Sequence, residues 1–413
     1  MLKSRHYVIM NVYWFGLAFM WNALHPIILP ALLLRFVPDA LKNTYLGGMT
    51  FAGLILAMII QPLSGAWSDR LRSRWGRRRP WMVAGTVATL LVLAGMNAAG
   101  GFWALLVTYL LLQSVSNMAH GPAQGLIPDL VPPERRGLAS GYKNLFDMAG
   151  LIVASLIAGN LMGQDNPSLA FAIIGAILAV CALTTVLGTP ETTGVAAVPT
   201  PAENPSPSAR ASWRDRVVAA IREYPDYAWL IASRFLILLG IYAVQTFAQY
   251  FIRDRLAVPN APEVTGNLMA TIGVALTALV FPAGWLSDRV GRRMLNIGAG
   301  LLAALGILLL LFVSNLPSLY AVGAIIGIAT GIFVSVNWAL ATDLIPVEKA
   351  GLYMGLTNIA TAGSASVSRL GGPLIDGLNA SRPGAYMGYA VLFVVASASA
   401  LAGALLMFRI RRR

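Results

Sequence analysis

Charge is what this sequence has least of. Asp, Glu, Lys and Arg make up 11% of its 413 residues while 57% are hydrophobic, and an average soluble domain carries about 25% charged residues. A water-soluble globule of this size would lack the polar side chains to cover its surface. Cysteine is almost absent as well: Cys181 stands alone inside an apolar run, which excludes an intramolecular disulfide framework. Alternating apolar–polar strands are missing, which argues against an outer-membrane barrel. No metal-ligand cluster, nucleophile elbow or phosphate-binding loop is present, so the chain is expected not to be an enzyme and to need no cofactor or metal. The glycines between Gly65 and Gly76 lie at a membrane–water boundary, without the strand–turn–helix context of a nucleotide loop. The net charge of +13 would suit nucleic acid by sign alone. Its basic residues, however, form short clusters between apolar segments without interleaved aromatics, and no nucleic-acid partner is expected.

What is abundant is long apolar sequence. Twelve segments recur, at residues 7–34, 44–66, 80–99, 102–127, 138–162 and 168–188, then 226–252, 264–286, 293–313, 317–343, 350–377 and 384–408. Each is long enough, at about 1.5 Å per residue, to cross roughly 30 Å of hydrocarbon as a helix. The expected fold class is an all-α polytopic membrane protein with twelve transmembrane helices. The first segment is too long for a signal-peptide core and lacks a small-residue cleavage site, so it is read as a retained span. Placing both termini in the cytoplasm puts 22 Lys and Arg residues on inside segments against 5 outside, namely Arg35, Lys42, Arg253, Arg255 and Arg382. That is the positive-inside bias. It predicts a multi-pass protein of the cytoplasmic (inner) membrane with both termini cytoplasmic, surrounded by lipid and expected to be monomeric.

Residues 189–225 interrupt the pattern with a stretch rich in Pro, Ala, Ser and Thr, read as a cytoplasmic linker between a six-span unit at 1–188 and another at 226–413. The halves repeat. Gly65–Arg70 (GAWSDR) returns 219 residues later as Gly284–Arg289 (GWLSDR), and Gly76, Arg77 and Arg78 return as Gly291, Arg292 and Arg293. Asp129–Glu134 (DLVPPE) matches Asp343–Glu348 (DLIPVE) at an offset of 214, and Gly137, Gly141 and Asn144 match Gly351, Gly355 and Asn358 at the same offset. Several coincidences in register indicate a duplicated, pseudo-symmetric pair of six-helix bundles.

The loop after the second span of each half, with its Gly-x-x-Ser-Asp-Arg and Gly-Arg-Arg elements, resembles the signature of the major facilitator superfamily, and the resemblance covers essentially the whole chain. The longer first copy, Ser68 to Trp81, and Gly121-Pro122-Ala123 followed by Pro128-Asp129, are similar to sucrose transporters and the glycoside–pentoside–hexuronide:cation symporters. The resemblance implies secondary transport of a sugar or glycoside by alternating access. Melibiose-type members of that group hold a cation with carboxylates inside span two. Here Tyr45 to Ala66 contains no Asp or Glu. A sodium ion needs oxygen ligands, usually a carboxylate among them, so the coupling ion is expected to be a proton, with another cation or plain facilitation as alternatives.

The repeated acids and arginines form a candidate cytoplasmic gate: Asp69, Arg70, Gly76, Arg77, Arg78 and Asp129 in the first half, and Asp288, Arg289, Arg292, Arg293 and Asp343 in the second. Each Asp stands where an apolar helix meets a basic turn, able to pair with an arginine or lie against a helix N-terminus. The resemblance implies that Asp69 faces span eleven and Asp288 faces span five when the cytoplasmic ends are together. The simpler account is that these clusters only obey the positive-inside rule.

Inside the spans, Asp147 is the carboxylate at mid-depth, Lys143 stands one turn before it, and His120 lies at similar depth in span four. Charges at such depth are costly unless paired or functional. Asp147, Lys143 and His120 are the proton-coupling candidates, against a static Lys143–Asp147 pair with His120 on a free carbonyl. The solute-binding candidates are Trp14, Trp21, Asn22, His25, Gln113, Asn117, His120, Asn144, Tyr242, Gln245, Gln249, Asn337, Trp338, Asn358 and Arg369. Their helical spacing puts polar side chains on single faces of spans one, four, seven and ten, suited to a wet cavity or to interhelical bonding. Amides, hydroxyls and aromatic rings match a polyhydroxylated solute. Few fixed charges argue against a strongly anionic one, although Arg369 keeps sugar acids open, and Arg234 is expected near the cytoplasmic end. An exporter of an amphipathic compound and a non-transporting scaffold are the alternatives.

Overall fold

The computed structural model describes residues 4–71, 73–189, 223–345 and 350–411. The expected linker falls almost wholly outside them, as do Pro346, Glu348 and Lys349 of the second repeat copy and the counted basic residues Lys3, Arg72, Arg210, Arg214, Arg216, Arg222, Arg412 and Arg413. Among the described residues the chain is helical throughout, without strands. The spans are α1 (Arg5–Leu33), α2 (Asp39–Arg70), α3 (Arg79–Asn97), α4 (Phe102–Leu130), α5 (Pro133–Gly163), α6 (Pro167–Gly188), α7 (Pro225–Arg255), α8 (Ala261–Val290), α9 (Arg292–Phe312), α10 (Leu316–Asp343) and α12 (Met387–Arg409). The remaining span, α11, comes in two pieces, Ala350–Ser368 and Gly372–Ser381, joined by a 3₁₀ turn at Arg369–Gly371.

The sequence sets these elements locally. Runs of Leu, Ile, Val and Ala supply helix formers that bury no polar side chain, and two starts carry side-chain caps. Asn315 and Ser318 form a reciprocal capping box at α10, and Asn166 accepts from the Leu169 N–H at α6. Proline breaks α1: a π-helical turn runs Leu24–Ile28, and Pro30 has no N–H for the Pro26 carbonyl. The donor comes from α7, where the Gln249 amide, in the orientation that satisfies both its groups, donates to Pro26 O and Ile27 O at 2.9 Å. Tyr250 Oη donates to Pro30 O at 3.0 Å.

Helix packing repeats between the halves. α1 lies on α5 and α6 as α7 lies on α11 and α12, and α4 lies on α2 and α3 as α10 lies on α8 and α9. The halves meet where α2 crosses α11 and where α5 crosses α8, two contacts related by the same duplication. Glycine permits the second: Gly159 of α5 faces Gly266 of α8, and a Cβ at Gly159 would stand 2.9 Å from Gly266 Cα. Leu91, Leu187 and Phe312 point outward and are more than two-thirds exposed, as lipid-facing side chains must be.

Candidate functional site

The spans position a polar layer at their centre. From α1, Trp21 stacks on His25 with centroids 4.9 Å apart, and His25 Nε2 lies 3.0 Å from Tyr109 Oη of α4. Gln113 Nε2 donates to Tyr109 Oη at 2.8 Å and lies 3.3 Å from His25 Nε2. One turn on, Asn117 donates to the Gln113 carbonyl and to its Oε1, at 2.8 and 3.2 Å. Arg369, at the break in α11, stands within electrostatic reach of His25, Tyr109 and Tyr242. Its Nη1 donates to Ala365 O and to Ser368 Oγ, whereas its Nε is buried without a partner.

A second layer lies nearer the arginine-rich loops. Lys143 Nζ is 2.7 Å from Asp147 Oδ2 and sits 4.0 Å over the Trp14 ring, whose other contact is the edge of His120 at 5.0 Å. His120 therefore reaches the acid–base pair through Trp14, and its own Nε2 lies 3.5 Å from Gln124 Nε2. Across the bundle, Arg234 is 5% exposed. It donates from Nε to Thr361 Oγ1 at 2.9 Å and from Nη1 to Asn337 Oδ1 at 2.7 Å, with Trp338 5.8 Å away. Residue counting gave the height of Arg234, in the first turns of α7, and the packing adds its direction, into the bundle.

Not every candidate faces the interior polar layers. Gln249 is committed to the α1 carbonyls, and Asn22 donates back to Ala18 O at 2.8 Å. Gln245 touches the Met269 sulfur at 4.0 Å. The repeat mates Asn144 and Asn358 are both exposed.

At the arginine-rich end, the expected gate residues associate within their own halves. Arg78 holds both Asp69 and Asp129, and Arg77 also reaches Asp129. Arg292 pairs with Asp288 and Asp343, mirroring Arg78. Arg289 lies 3.9 Å over Trp285, and Arg293 donates to the Met407 and Phe408 carbonyls of α12. Arg70 closes α2. Gly76 and Gly291 take φ of +90° and +96°, the left-handed backbone that accounts for glycine at both places in the repeat.

The opposite end carries residues that sequence reasoning passed over. Asp376 of α11 accepts from Asn43 Nδ2 at 2.8 Å and from Thr44 N and Oγ1 at 2.7 Å, capping the first α-helical turn of α2 across the halves. Lys42 pairs with Asp254 of α7 at 2.8 Å, both side chains 6% exposed, and Tyr389 Oη donates to the same carboxylate at 2.7 Å. Arg253 pairs with Asp39 nearby. The available signal was that Asp254 and Asp376 are acids at the ends of apolar segments, facing a side with few bases.

The chain matches a family model described as Major Facilitator Superfamily over residues 7–368 and 260–413. A sucrose transport protein of Arabidopsis thaliana is 29% identical over 171 residues, which is 37% of this chain and 31% of that protein. Proton-associated sugar transporter A of Mus musculus is 32% identical over 141 residues, 30% of this chain and 18% of the relative. The match thus spans less than a third of the length of either curated relative. Among solved structures, that of a D-xylose-proton symporter superposes with a TM-score of 0.74 at 16% identity, covering 99% of this chain and 98% of that one. A bacterial homologue of the human lysosomal transporter Spinster, inward-facing and unoccupied, gives 0.70 at 16% identity with full coverage of both chains.

Proposed function

The chain belongs to the major facilitator superfamily, and from that premise we propose that it is a secondary transporter moving a sugar-like solute with protons across the cytoplasmic membrane by alternating access. The observation that carries this reading is the central wall of Trp21, His25, Tyr109 and Gln113, with Arg369 within electrostatic reach. It combines aromatic faces with amide and hydroxyl partners, the chemistry that sugar rings and hydroxyls require. The names of the relatives, a sucrose transport protein and a proton-associated sugar transporter, support the solute class and the ion.

In this reading the arginine-rich end and both termini are cytoplasmic, the units at 1–188 and 226–413 rock about their crossings, and the monomer is the working unit. The far end, bound across the halves by Asp376, Asp254 and Lys42, is the closed outer gate, so the protein faces inward. Asp147 is the proton carrier. Lys143 competes with the proton for its carboxylate, and His120 bears on Lys143 through Trp14.

Purified protein in proteoliposomes with an internal pH dye tests this directly. Mono- and disaccharides, glycosides and sugar acids are added outside, and one class is expected to drive proton entry. Asp147→Asn is expected to abolish accumulation driven by a pH gradient while solute exchange persists. Accumulation at full strength in that variant would move the proton site elsewhere, and silence across the panel would remove the sugar reading.

A further inference from the structure

We propose that the second half holds a small inorganic monoanion of the chloride class, at a site built by Arg234 of α7, Asn337 of α10 and Thr361 of α11 and separate from the solute wall. Arg234 stands nine residues inside α7, about 13 Å along the helix, and is 5% exposed. Guanidinium does not shed its proton in proteins, and a buried charge without a counter-charge is strongly destabilising. None of the ion pairs among the described residues includes Arg234. Its bonds go to neutral acceptors, Thr361 Oγ1 at 2.9 Å and Asn337 Oδ1 at 2.7 Å.

What this cluster has left over is donors. Asn337 accepts through Oδ1, which fixes the orientation of its amide and leaves Nδ2 as a donor. Asn337 is 0% exposed, and that Nδ2 has no partner. Arg234 Nη2 likewise makes no hydrogen bond among the described residues. A buried donor left unpaired costs its full desolvation. One small anion satisfies both neighbours together, accepting their N–H groups and supplying the missing charge. A neutral hydroxyl would meet the hydrogen bonds and leave the charge as it was.

The duplication sharpens the point. In the first half this layer balances itself, with Lys143 2.7 Å from Asp147. At the offset of 214 the mates of Lys143 and Asp147 are Thr357 and Thr361. Thr361 is the residue that Arg234 contacts, and Thr357 Oγ1 lies 2.6 Å from Tyr227 Oη. The second half thus keeps a cation and has hydroxyls where the first carries its acid, and a bound anion takes the acid's part. Arg369 also lacks an ion pair, but it lies just past the end of the Ala350–Ser368 helix and donates to Ala365 O, where free carbonyls stabilise a cation. Arg234 sits inside a continuous helix without such an end. Trp338 offers it a ring face 5.8 Å away but no charge. One fixed positive charge matches a monovalent ion rather than phosphate or sulfate.

Trp338 beside the guanidinium supplies the readout. The full-length protein in nanodiscs is titrated with bromide, a heavy-atom quencher of tryptophan, at an ionic strength held constant with methanesulfonate. Trp338→Phe gives the background from the other tryptophans. Saturable quenching of Trp338, displaced by chloride, is expected, and in Arg234→Gln the apparent affinity should fall about tenfold or more. Thr361→Asp builds the first half's carboxylate beside the arginine and should remove halide binding while the unfolding midpoint holds or rises. Both variants are checked for a monodisperse size-exclusion peak. In the unaltered protein, exchanging methanesulfonate for chloride should raise the unfolding midpoint to a plateau. Unsaturable quenching, saturable quenching that survives Arg234→Gln or Thr361→Asp, or a midpoint indifferent to the anion would each overturn the site. Silence across the sugar panel alongside saturable halide binding would remove the solute reading and leave the anion site standing.

Discussion

At the end of the bundle opposite the arginines, Asp376 of α11 caps α2 in the other half and Asp254 of α7 holds Lys42 of α2. At the arginine-rich end, Asp69 of the same α2 turns back to Arg78, and Asp288 of α8 turns back to Arg292. Both ends use carboxylates, cations and a first helical turn, and what separates them is whether the contact crosses between halves. Glycine tells the same story along α5. Gly159 meets the backbone of α8, while a Cβ at Gly141, about five turns toward the other end of the helix, would meet nothing within 4 Å. Gly355, its repeat mate in α11, is equally open. The lesson is that the two ends need no different parts to behave differently. In the proposed alternating access one set of contacts is made while the other waits to form, and the α2–α11 and α5–α8 crossings would be the pivots of the exchange.

The largest expected effect comes from breaking the made end. Asp254→Ala leaves Lys42 buried with only the more exposed Asp39 beside it. Removing one partner of a buried pair costs about 3–5 kcal/mol, and the flexible Asp39 contact places this case at the low end of that range. Thermal unfolding in detergent should fall, and spin labels on α2 and α7 at the far end should report wider separations. Adding Lys42→Met is expected to restore most of the loss, because the orphaned charge goes with it. Recovery of neither stability nor distance would mean that this pair does not hold the far end closed.

How much of this was legible beforehand follows from the kind of contact involved. The spans and the repeat rest on local apolar runs and recurring motifs, which a sequence displays directly, whereas the break in α11 at Arg369–Gly371 falls inside a segment read as one continuous span. The hydrogen bonding of Tyr109 with Gln113 and His25 was half visible, since Tyr109 stands one turn before Gln113. The far-end contacts were not. Asn43 and Asp376 are 333 residues apart, and a charged residue at the end of an apolar segment is ordinary there. The direction of Arg234 was not legible, because residue counting gives depth along a helix and leaves rotation open, and only packing against α10 and α11 settles that. Gln249 looked like cavity lining because its spacing fits the polar face, but the carbonyl left free by Pro30 claims it.

A smaller, more discriminating effect is expected from glycine substitutions at the two ends of one helix. Gly159→Leu drives a side chain into α8 and should cost about 1–3 kcal/mol in the arrangement described here. It therefore moves the population toward opening at the far end. Gly141→Leu finds open space in this arrangement and should leave it untouched, while obstructing approach of α5 to α8 at the arginine-rich end. Both should slow solute exchange, yet paired spin labels should show opposite population shifts. Shifts of the same sign would break the comparison, because the two ends would then not be exchanging contact for contact.

The smallest effect is expected at Asp69, whose carboxylate is half exposed and whose partner Arg78 also has Asp129. An exposed ion pair is worth about 0–1 kcal/mol, so Asp69→Ala should barely change unfolding. Its consequence lies in the other arrangement, where the family resemblance implies that Asp69 faces α11, much as Asp376 here meets the first α-helical turn of α2. Losing that contact removes stabilisation from the state in which the arginine-rich ends meet, and this one gains by default. The expected readings are slower solute exchange, unchanged solute affinity, and a larger fraction of molecules with the arginine-rich ends apart. Asp376→Ala should shift the same fraction the other way. Equal and opposite movements would establish the two carboxylates as counterparts, whereas no movement in Asp69→Ala would leave the arginine-rich cluster as a topological signal alone.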